Sequence, residues 1–321
     1  MSKRNLIVDA YNLFTRHYVA HPAMSENGEQ IGGIVGFFNN LVNMTERTNP
    51  DRVIVVWESG GSKRKRDLFP DYKRGRRPQK LNRYYENDIP DTIQNRNFQV
   101  ALLVDLISCF PVTQLYVDDS EADDAIGYMC KYKLSTDENV VISSDHDFYQ
   151  LLDKTTIIWS PTLKSYVNVN KVVDRFGVHP NNFCLAKSIT GDSSDNIPGV
   201  KGVSYKTLVK YFDKFSLEED YLVSDFIEDA KKLSETKKLK ILGYIESSNN
   251  LIKRNWKLIH LDVNNLSSFQ VTKINEKIEK VDLSCDNMKA HKILKNSGIK
   301  NLDLIRANFI LKRLKKGNNE Y

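Results

Sequence analysis

The chain has 321 residues, a formal net charge of +6, and 40% hydrophobic against 27% charged residues. That length leaves room for about two domains, and that balance excludes wholesale disorder. Four scattered cysteines (Cys109, Cys130, Cys184, Cys285), with no CxxC pair, argue against a zinc site and for a reducing compartment. No apolar run nears the roughly 18 residues of a membrane span. Met1-Ser-Lys-Arg4 leads straight into an apolar run rather than a leader peptide. A soluble, cytoplasmic monomer with no membrane partner is therefore expected.

Residues 5–8 form a short apolar run stopped by Asp9. A stretch punctuated by Gly28, Gly32 and Gly33 leads into helical spacing over 35–44. Residues 52–57 are a second apolar run, stopped by Glu58. Helical period returns over 91–110 until Pro111 breaks it. Residues 114–117 are the third run, stopped by Asp118, and 139–142 the fourth, reaching Asp145 through two serines. Short continuous apolar runs alternating with helical patterns indicate strands buried on both faces. The fold class is thus α/β, with a mostly parallel twisted central sheet and helices on both faces. Residues 155–160 and 166–169 read as a further strand pair, 231–244 as a charged amphipathic helix, and 255–261 as one more strand. The basic tail, 312–321, reads as a frayed end.

Asp118, Asp119, Glu121, Asp123 and Asp124 fall within seven residues, and Asp145 and Asp147 follow the next apolar run. Like charges packed together cost several kcal/mol or force protonation, so they either point apart into water or gather a cation. A helix start capped by Ser120, with acids favoured by the helix dipole, accounts for one or two of them and not five. In open α/β sheets, sites form outside the carboxyl ends of the strands. Asp9, Glu58, 118–124 and 145–147 are therefore expected to converge on one edge. Oxygen ligands without Cys or His suit Mg²⁺ or Mn²⁺.

Residues 189–207, ITGDSSDNIPGVKGVSYKT, form the second signal. The plain alternative is a polar turn between helices. Gly199 and Gly202, flanking Val200 and Lys201, allow close backbone approach, and Ser204 then opens a helix beside Lys206. Amide groups at such a start bind anions. A helix–hairpin–helix grip on a nucleic-acid backbone, blind to sequence, is expected. Asp192 and Asp195 lie on its near side, available to the metal cluster. The third signal is the basic run 63–83, with Phe69 and Tyr72 among the cations and Tyr84 and Tyr85 at its end. A solvated loop or localisation signal is the bland reading. Aromatics that stack on bases beside cations that follow phosphates favour nucleic acid.

Asp9 after the first strand, LFPDYKRGR, EADD, SSDHDF and GDSSDNIPGVKGV together resemble the 5′-nuclease family. That family comprises flap endonucleases, the 5′–3′ exonuclease domain of bacterial DNA polymerase I, and stand-alone phage enzymes. The resemblance covers roughly residues 6–212. It implies metal-site carboxylates at Asp9, Glu121, Asp123, Asp124, Asp145, Asp147 and Asp195, with Asp192 in support. Glu58 joins that set where the family usually has Asp. Lys73 and Arg76 match basic residues beside the scissile phosphate, and Tyr72 a base-stacking residue at the foot of a helical arch. Arg64 and Lys65 stand where relatives carry Phe-Arg, so Arg64, Lys65 and Arg66 are all candidates for that arginine's role on DNA. Near Gly199 to Gly202 the family's hairpin also binds K⁺. Ser204-Tyr205 departs from the more usual Gly-Pro or Gly-Ala.

The implied organisation is a nuclease core over 1–178, with a basic arch at about 62–97, and a helix–hairpin–helix and helical region over 179–321. A stand-alone, phage-type form is expected. The implied activity is Mg²⁺-dependent hydrolysis by two ions at 5′ flaps or ends of DNA, or in RNA–DNA hybrids during primer removal. It leaves 5′-phosphate and 3′-hydroxyl. Lys73, Arg76, Asp123 and Asp145 are the expected catalytic residues. A clamp or single-strand-binding protein is an expected partner of 217–321. The alternatives are a non-catalytic, structure-specific DNA-binding protein and a PIN-like ribonuclease, which does not need the GDSSDNIPGVKGV hairpin.

Overall fold

The computed structural model describes residues 2–74, 92–280 and 284–315. Strands β1 (Arg4–Asp9), β2 (Arg52–Ser59), β3 (Thr113–Asp118), β4 (Glu138–Ile142), β5 (Thr156–Ser160) and β6 (Ser165–Val167) form one sheet. Its order is β3-β2-β1-β4-β5-β6. β1 to β5 run parallel, and β6 turns back antiparallel on β5. The α/β architecture and the final strand pair are as expected from the apolar runs.

The helices are α1 (Ala10–Ala20), α2 (Gly32–Thr48), α3 (Lys63–Leu68), α4 (Ile93–Ile107), α5 (Ala122–Tyr128), α6 (Val169–Phe176) and α7 (Pro180–Thr190). Then come α8 (Tyr205–Tyr211), α9 (Val223–Thr236), α10 (Lys240–Ser247), α11 (Asn249–Ile259), α12 (Ser268–Glu279), α13 (Asn287–Asn296) and α14 (Leu304–Leu311). Alternate strand residues feed two cores. Leu6, Val8, Val53, Val55 and Trp57 pack with Phe14, Phe37, Leu103 and, from α13 and α14, Leu294 and Ile310. Ile7, Ile54, Val56, Leu115 and Val141 pack with Ile126, Phe183, Leu208, Phe226 and Ile274. Each fully buried side chain of this size contributes about 1.5–3 kcal/mol. Both cores draw on residues before and after position 178. Among the described residues, no helix is long and apolar enough to cross a membrane.

Two expectations fail. Residues 255–261 are not a strand: α11 runs over Asn249–Ile259 and buries Ile252, Asn255, Leu258 and Ile259 on one helical face. The buried Asn255 amide donates to the Ser188 and Pro198 carbonyls at 2.9 and 2.8 Å, so a polar residue belongs to the inward stripe. The helix expected over 231–244 breaks between α9 and α10. An unbroken helix carries Leu242 about 18 Å beyond Ala230, whereas the break lets both side chains reach one core.

Candidate active site

The carboxyl ends of β1 and β4, neighbours in the sheet, are tied together by side chains. Asp9 caps α1 by accepting from the Asn12 amide at 3.3 Å. Ser143, just past β4, donates its hydroxyl to Asp9 Oδ2 at 2.9 Å and accepts from the Asp145 amide at 3.1 Å. Asp145 in turn caps the 3-10 turn His146–Leu151 by accepting from the Asp147 amide at 2.9 Å. Across from them, α5 presents Asp123 in its first turn. Oxygens of Asp123, Asp145 and Asp147 all lie within 4.8 Å of one another. Burial pushes Asp9 up to about 7, and the charges of Asp145 and Glu58 add to the effect. Burial also pushes Asp123 well above the usual carboxylate range, with Asp145, Asp9 and Glu121 all contributing. Asp147 is raised to about 7 by burial and Asp145, with Lys187 pulling the other way.

These carboxylates are held together at a cost that protonation or a cation relieves. An all-oxygen group of this kind fits a hard divalent ion such as Mg²⁺ or Mn²⁺. Asp123, Asp145 and Asp147 would hold it, with Asp9 beside them.

Glu121 is in a different environment. Its Oε2 accepts from the ammonium of Lys65 at 2.7 Å and the hydroxyl of Tyr72 at 2.9 Å, and its Oε1 from Lys73 at 2.6 Å. Burial works to raise this carboxyl, but Lys65 and Lys73 overcome it and hold it down at about 2. Lys65 is 2% exposed and also faces Asp124 Oδ2 at 3.3 Å. Asp124 Oδ1 accepts from Asn265 at 2.8 Å, so Asp124 braces α5 and is not in the Asp123–Asp145–Asp147 group. Glu121, with both oxygens engaged by cations, is also outside that group. Ser120 does not cap α5: the capping position is Glu121, and the Ser120 hydroxyl donates to the Glu121 carbonyl at 3.2 Å. Asp118 and Asp119 point outward and are exposed, with Asp118 pairing Lys273 at 2.9 Å.

Of the three candidates before LFPDYK, Lys65 is the one that turns inward. Arg64 donates to the Lys257 carbonyl at 3.3 Å and Arg66 to the Gly60 carbonyl at 3.0 Å. Lys65 is thus an internal counter-ion, not a DNA-facing residue. Tyr72 differs from expectation as well. Its ring is 6% exposed, packed among Cys184, Ile197, Leu258 and Ile259, and its hydroxyl also reaches Asp195 Oδ2 at 3.3 Å. Lys73 takes positive φ, 55°, and its amide donates to the Asp195 carbonyl at 3.0 Å. That backbone link fixes the LFPDYK turn to the segment after α7. Arg76 and residues 75–91 of the arch expected over about 62–97 lie outside the described residues.

The hairpin between α7 and α8 is tight. Asp192 and Ile197 exchange backbone hydrogen bonds at 2.8 Å, and the Val200 amide donates to the Ile189 carbonyl at 2.7 Å. A Cβ at Gly199 meets the Thr190 carbonyl oxygen at 2.1 Å, so only glycine fits there. Ser204 caps α8, accepting from the Thr207 amide. Lys201, Gly202 and Lys206 are exposed on this hairpin, while Val200 is buried and anchors it. Asp195 is buried and Asp192 half-buried.

Sequence reasoning missed Lys187. It lies in α7, 5% exposed, in close ion pairs with Asp147 Oδ1 and, at 2.7 Å, with Asp192 Oδ2. Against burial, Lys187 and the Ser194 hydroxyl and amide hold Asp192 down at about 2. A lone lysine inside the otherwise uncharged run Phe183-Cys-Leu-Ala-Lys-Ser-Ile189 was the available signal.

Residues 4–177 match the family described as 5′-3′ exonuclease, N-terminal resolvase-like domain. Over 249 residues the chain is 29% identical to DNA polymerase I of Caldicellulosiruptor bescii, covering 74% of this chain and 28% of that protein. The chain thus spans little more than a quarter of that polymerase's length. It is 26% identical to the flap endonuclease Xni of a Shewanella species, over 74% of this chain and 87% of that one. Its fold is similar to that of the bacteriophage T5 D15 flap endonuclease, solved with DNA and metal ions. The TM-score is 0.64 at 21% identity, over 92% of this chain and 99% of that one. With the family match taking in more than half of its residues, the chain belongs to the 5′-3′ exonuclease family.

Proposed function

We propose that this chain is a divalent-metal-dependent, structure-specific 5′-nuclease that cuts phosphodiesters at 5′ flaps and 5′ ends of DNA. The grouping of Asp123, Asp145 and Asp147 oxygens within 4.8 Å at the sheet's carboxyl edge carries the reading. Its relatives include a flap endonuclease, and the T5 enzyme of similar fold was solved with DNA and metal ions. Two Mg²⁺ ions held at Asp123, Asp145 and Asp147 would supply a nucleophile from water at neutral pH and would offset charge on the phosphate and the leaving 3′ oxygen.

The protein's own residues do the rest. Asp9, Asp123, Asp145 and Asp147 form the negative rim that orients the cations, with Glu58, Asp192 and Asp195 around it. Lys73 gives one of its three donors to Glu121 and lies 4.0 Å from Asp195 Oδ2, and a phosphoryl oxygen would take up its remaining donors. Arg76 has the same proposed role. Glu121 and Asp124 keep Lys65 and Lys73 charged and in place. Lys201, Gly202 and Lys206 on the exposed hairpin, with K⁺ as a further ligand there, hold duplex phosphates away from the cut. Water adds to phosphorus as the P–O3′ bond breaks, so the products are a 5′-phosphate and a 3′-hydroxyl. Primer RNA in a hybrid, a replication partner for 217–321, a monomeric state and a cytoplasmic location belong to the same proposal.

The test compares 5′-labelled flap, nicked duplex and RNA–DNA hybrid substrates, in Mg²⁺ and in chelator. Short labelled products in Mg²⁺ alone are expected. Equal cutting in chelator, or none in Mg²⁺ or Mn²⁺, overturns the reading.

A further inference from the structure

Lys187 is the buried cation that the mechanism above leaves without a task. Its ammonium lies between Asp147 and Asp192, and Asp147 is at the same time one of the three carboxylates grouped at the sheet edge. Asp192 has both oxygens engaged, Oδ2 by Lys187 and Oδ1 by the amide and hydroxyl of Ser194 at 2.8 and 2.6 Å. The carboxylate cluster therefore has two unlike sides. On the side of Asp123 and Asp145, the acids face one another. On the side of Asp192, a fixed positive charge belonging to the chain already stands against them.

We infer that Lys187 is a positioning residue that acts as the resident cation of the Asp147–Asp192 side. It makes occupancy of the two metal positions unequal before substrate arrives. A divalent ion entering near Asp123 and Asp145 meets carboxylates that, among the described residues, pair directly with no ammonium, Lys73 and Lys187 acting on them only through space. A second ion approaching Asp147 and Asp192 meets an ammonium a few ångströms away and shares its ligands with it. The negative charge of a bound phosphate offsets that repulsion, so the second ion is taken up with DNA rather than ahead of it. Lys187 also keeps Asp192 and Asp147 from repelling each other while the site waits. This inference rests on the proposed two-ion reading.

Mn²⁺ binding to DNA-free protein, followed by electron paramagnetic resonance and calorimetry, tests it. One tight and one weak ion are expected for the natural chain. Lys187→Met, which keeps the length and removes the charge, should tighten the weak ion by roughly 10- to 100-fold, the usual scale for residues that support metal ligands. Lys187→Arg should keep the unequal pattern. Lys187→Met with unchanged ion affinities, even with a lowered melting temperature, makes the lysine merely structural and overturns the inference. Should Lys187→Met not fold, the Nζ resonance of Lys187 in the ¹⁵N-labelled natural protein decides during a Mg²⁺ titration. It should move with the second ion and not the first, and a signal unmoved through saturation counts against the inference. If the natural protein takes up no divalent ion with or without DNA, the nuclease reading itself falls. Equal ion binding by both proteins sinks only the role of Lys187.

Discussion

The floor of the site around Glu121 and the rim around Asp123 lie two residues apart on the chain and behave oppositely. Both are carboxylates on the first turn of α5 or its cap, Glu121 buried and Asp123 half-buried. Glu121 is surrounded by Lys65, Lys73 and Tyr72, and its carboxyl is held down at about 2. Asp123 faces Asp145 and Asp147, and its carboxyl is driven up. Burial alone penalises the charged form, and nearby ammonium groups reverse that penalty. The floor therefore carries its own cations and serves as scaffold. The rim has one such pair, Lys187 with Asp147, and its carboxyls stay raised despite it, which is the condition for collecting cations from solution.

Breaking the rim should produce the largest effect. Asp145→Asn or Asp123→Asn should lower flap cleavage on the order of 1,000-fold, as for loss of a positioned charge in catalysis, while binding of flap DNA in Ca²⁺ persists. Full turnover in either variant removes the residue from the metal group. Breaking the floor comes next. Lys65→Met leaves Glu121 and Asp124 buried without their counter-ion and should cost about 3–5 kcal/mol in urea unfolding. A loss under 1 kcal/mol there means that α5 does not depend on the pair.

The pH response separates the two regions further. Asp9 and Asp147 have folded values of about 7, above those of the unfolded chain. Their contribution to stability is therefore complete below about pH 4 and is lost as pH rises through 7. Glu121 and Asp192 shift the other way, to about 2, so their contribution is complete above about pH 4 and constant over this window. Asp9 and Asp147 should thus each cost metal-free protein roughly 2–3 kcal/mol between pH 5 and pH 8. His17 and His260, lowered to about 4 by burial, work the other way up to about pH 6.5, so the net loss is expected at the alkaline end of the range. The stabilising effect of Mg²⁺ should grow over the same range. A melting temperature that rises with pH between about 7 and 8 in chelator, beyond the range of the histidines, contradicts the raised rim. Smaller again, Lys73→Ala should reduce turnover roughly 10-fold with a lesser change in DNA affinity. Loss of affinity alone moves Lys73 from chemistry to docking.

The sheet was legible because β1, β2, β3 and β4 each read as a short apolar run with an acid at or just past its end. The hairpin was legible because Gly199 sits where no Cβ fits. Directions of side chains were not. In Lys63-Arg-Lys-Arg66 nothing local distinguishes the residue that α3 turns inward, yet Lys65 alone of the four is buried. Tyr72 reads as an exposed aromatic in a basic run, and only the packing of Cys184, Leu258 and Ile259 buries it. Lys187 acquires its meaning from Asp147, 40 positions away. Asn255 misled the reading of α11 because a polar residue on a buried stripe breaks the apolar count until its carbonyl partners are known.

Crystals grown with Mn²⁺ and DNA product, measured near the manganese absorption edge, give the most direct test of the shared-cation site. Anomalous peaks are expected within coordination distance of Asp123, Asp145 and Asp147, with Glu121 still bonded to Lys65 and Lys73. A map from catalytically active crystals with no peak at those three carboxylates would contradict a hydrolytic centre at this edge of the sheet.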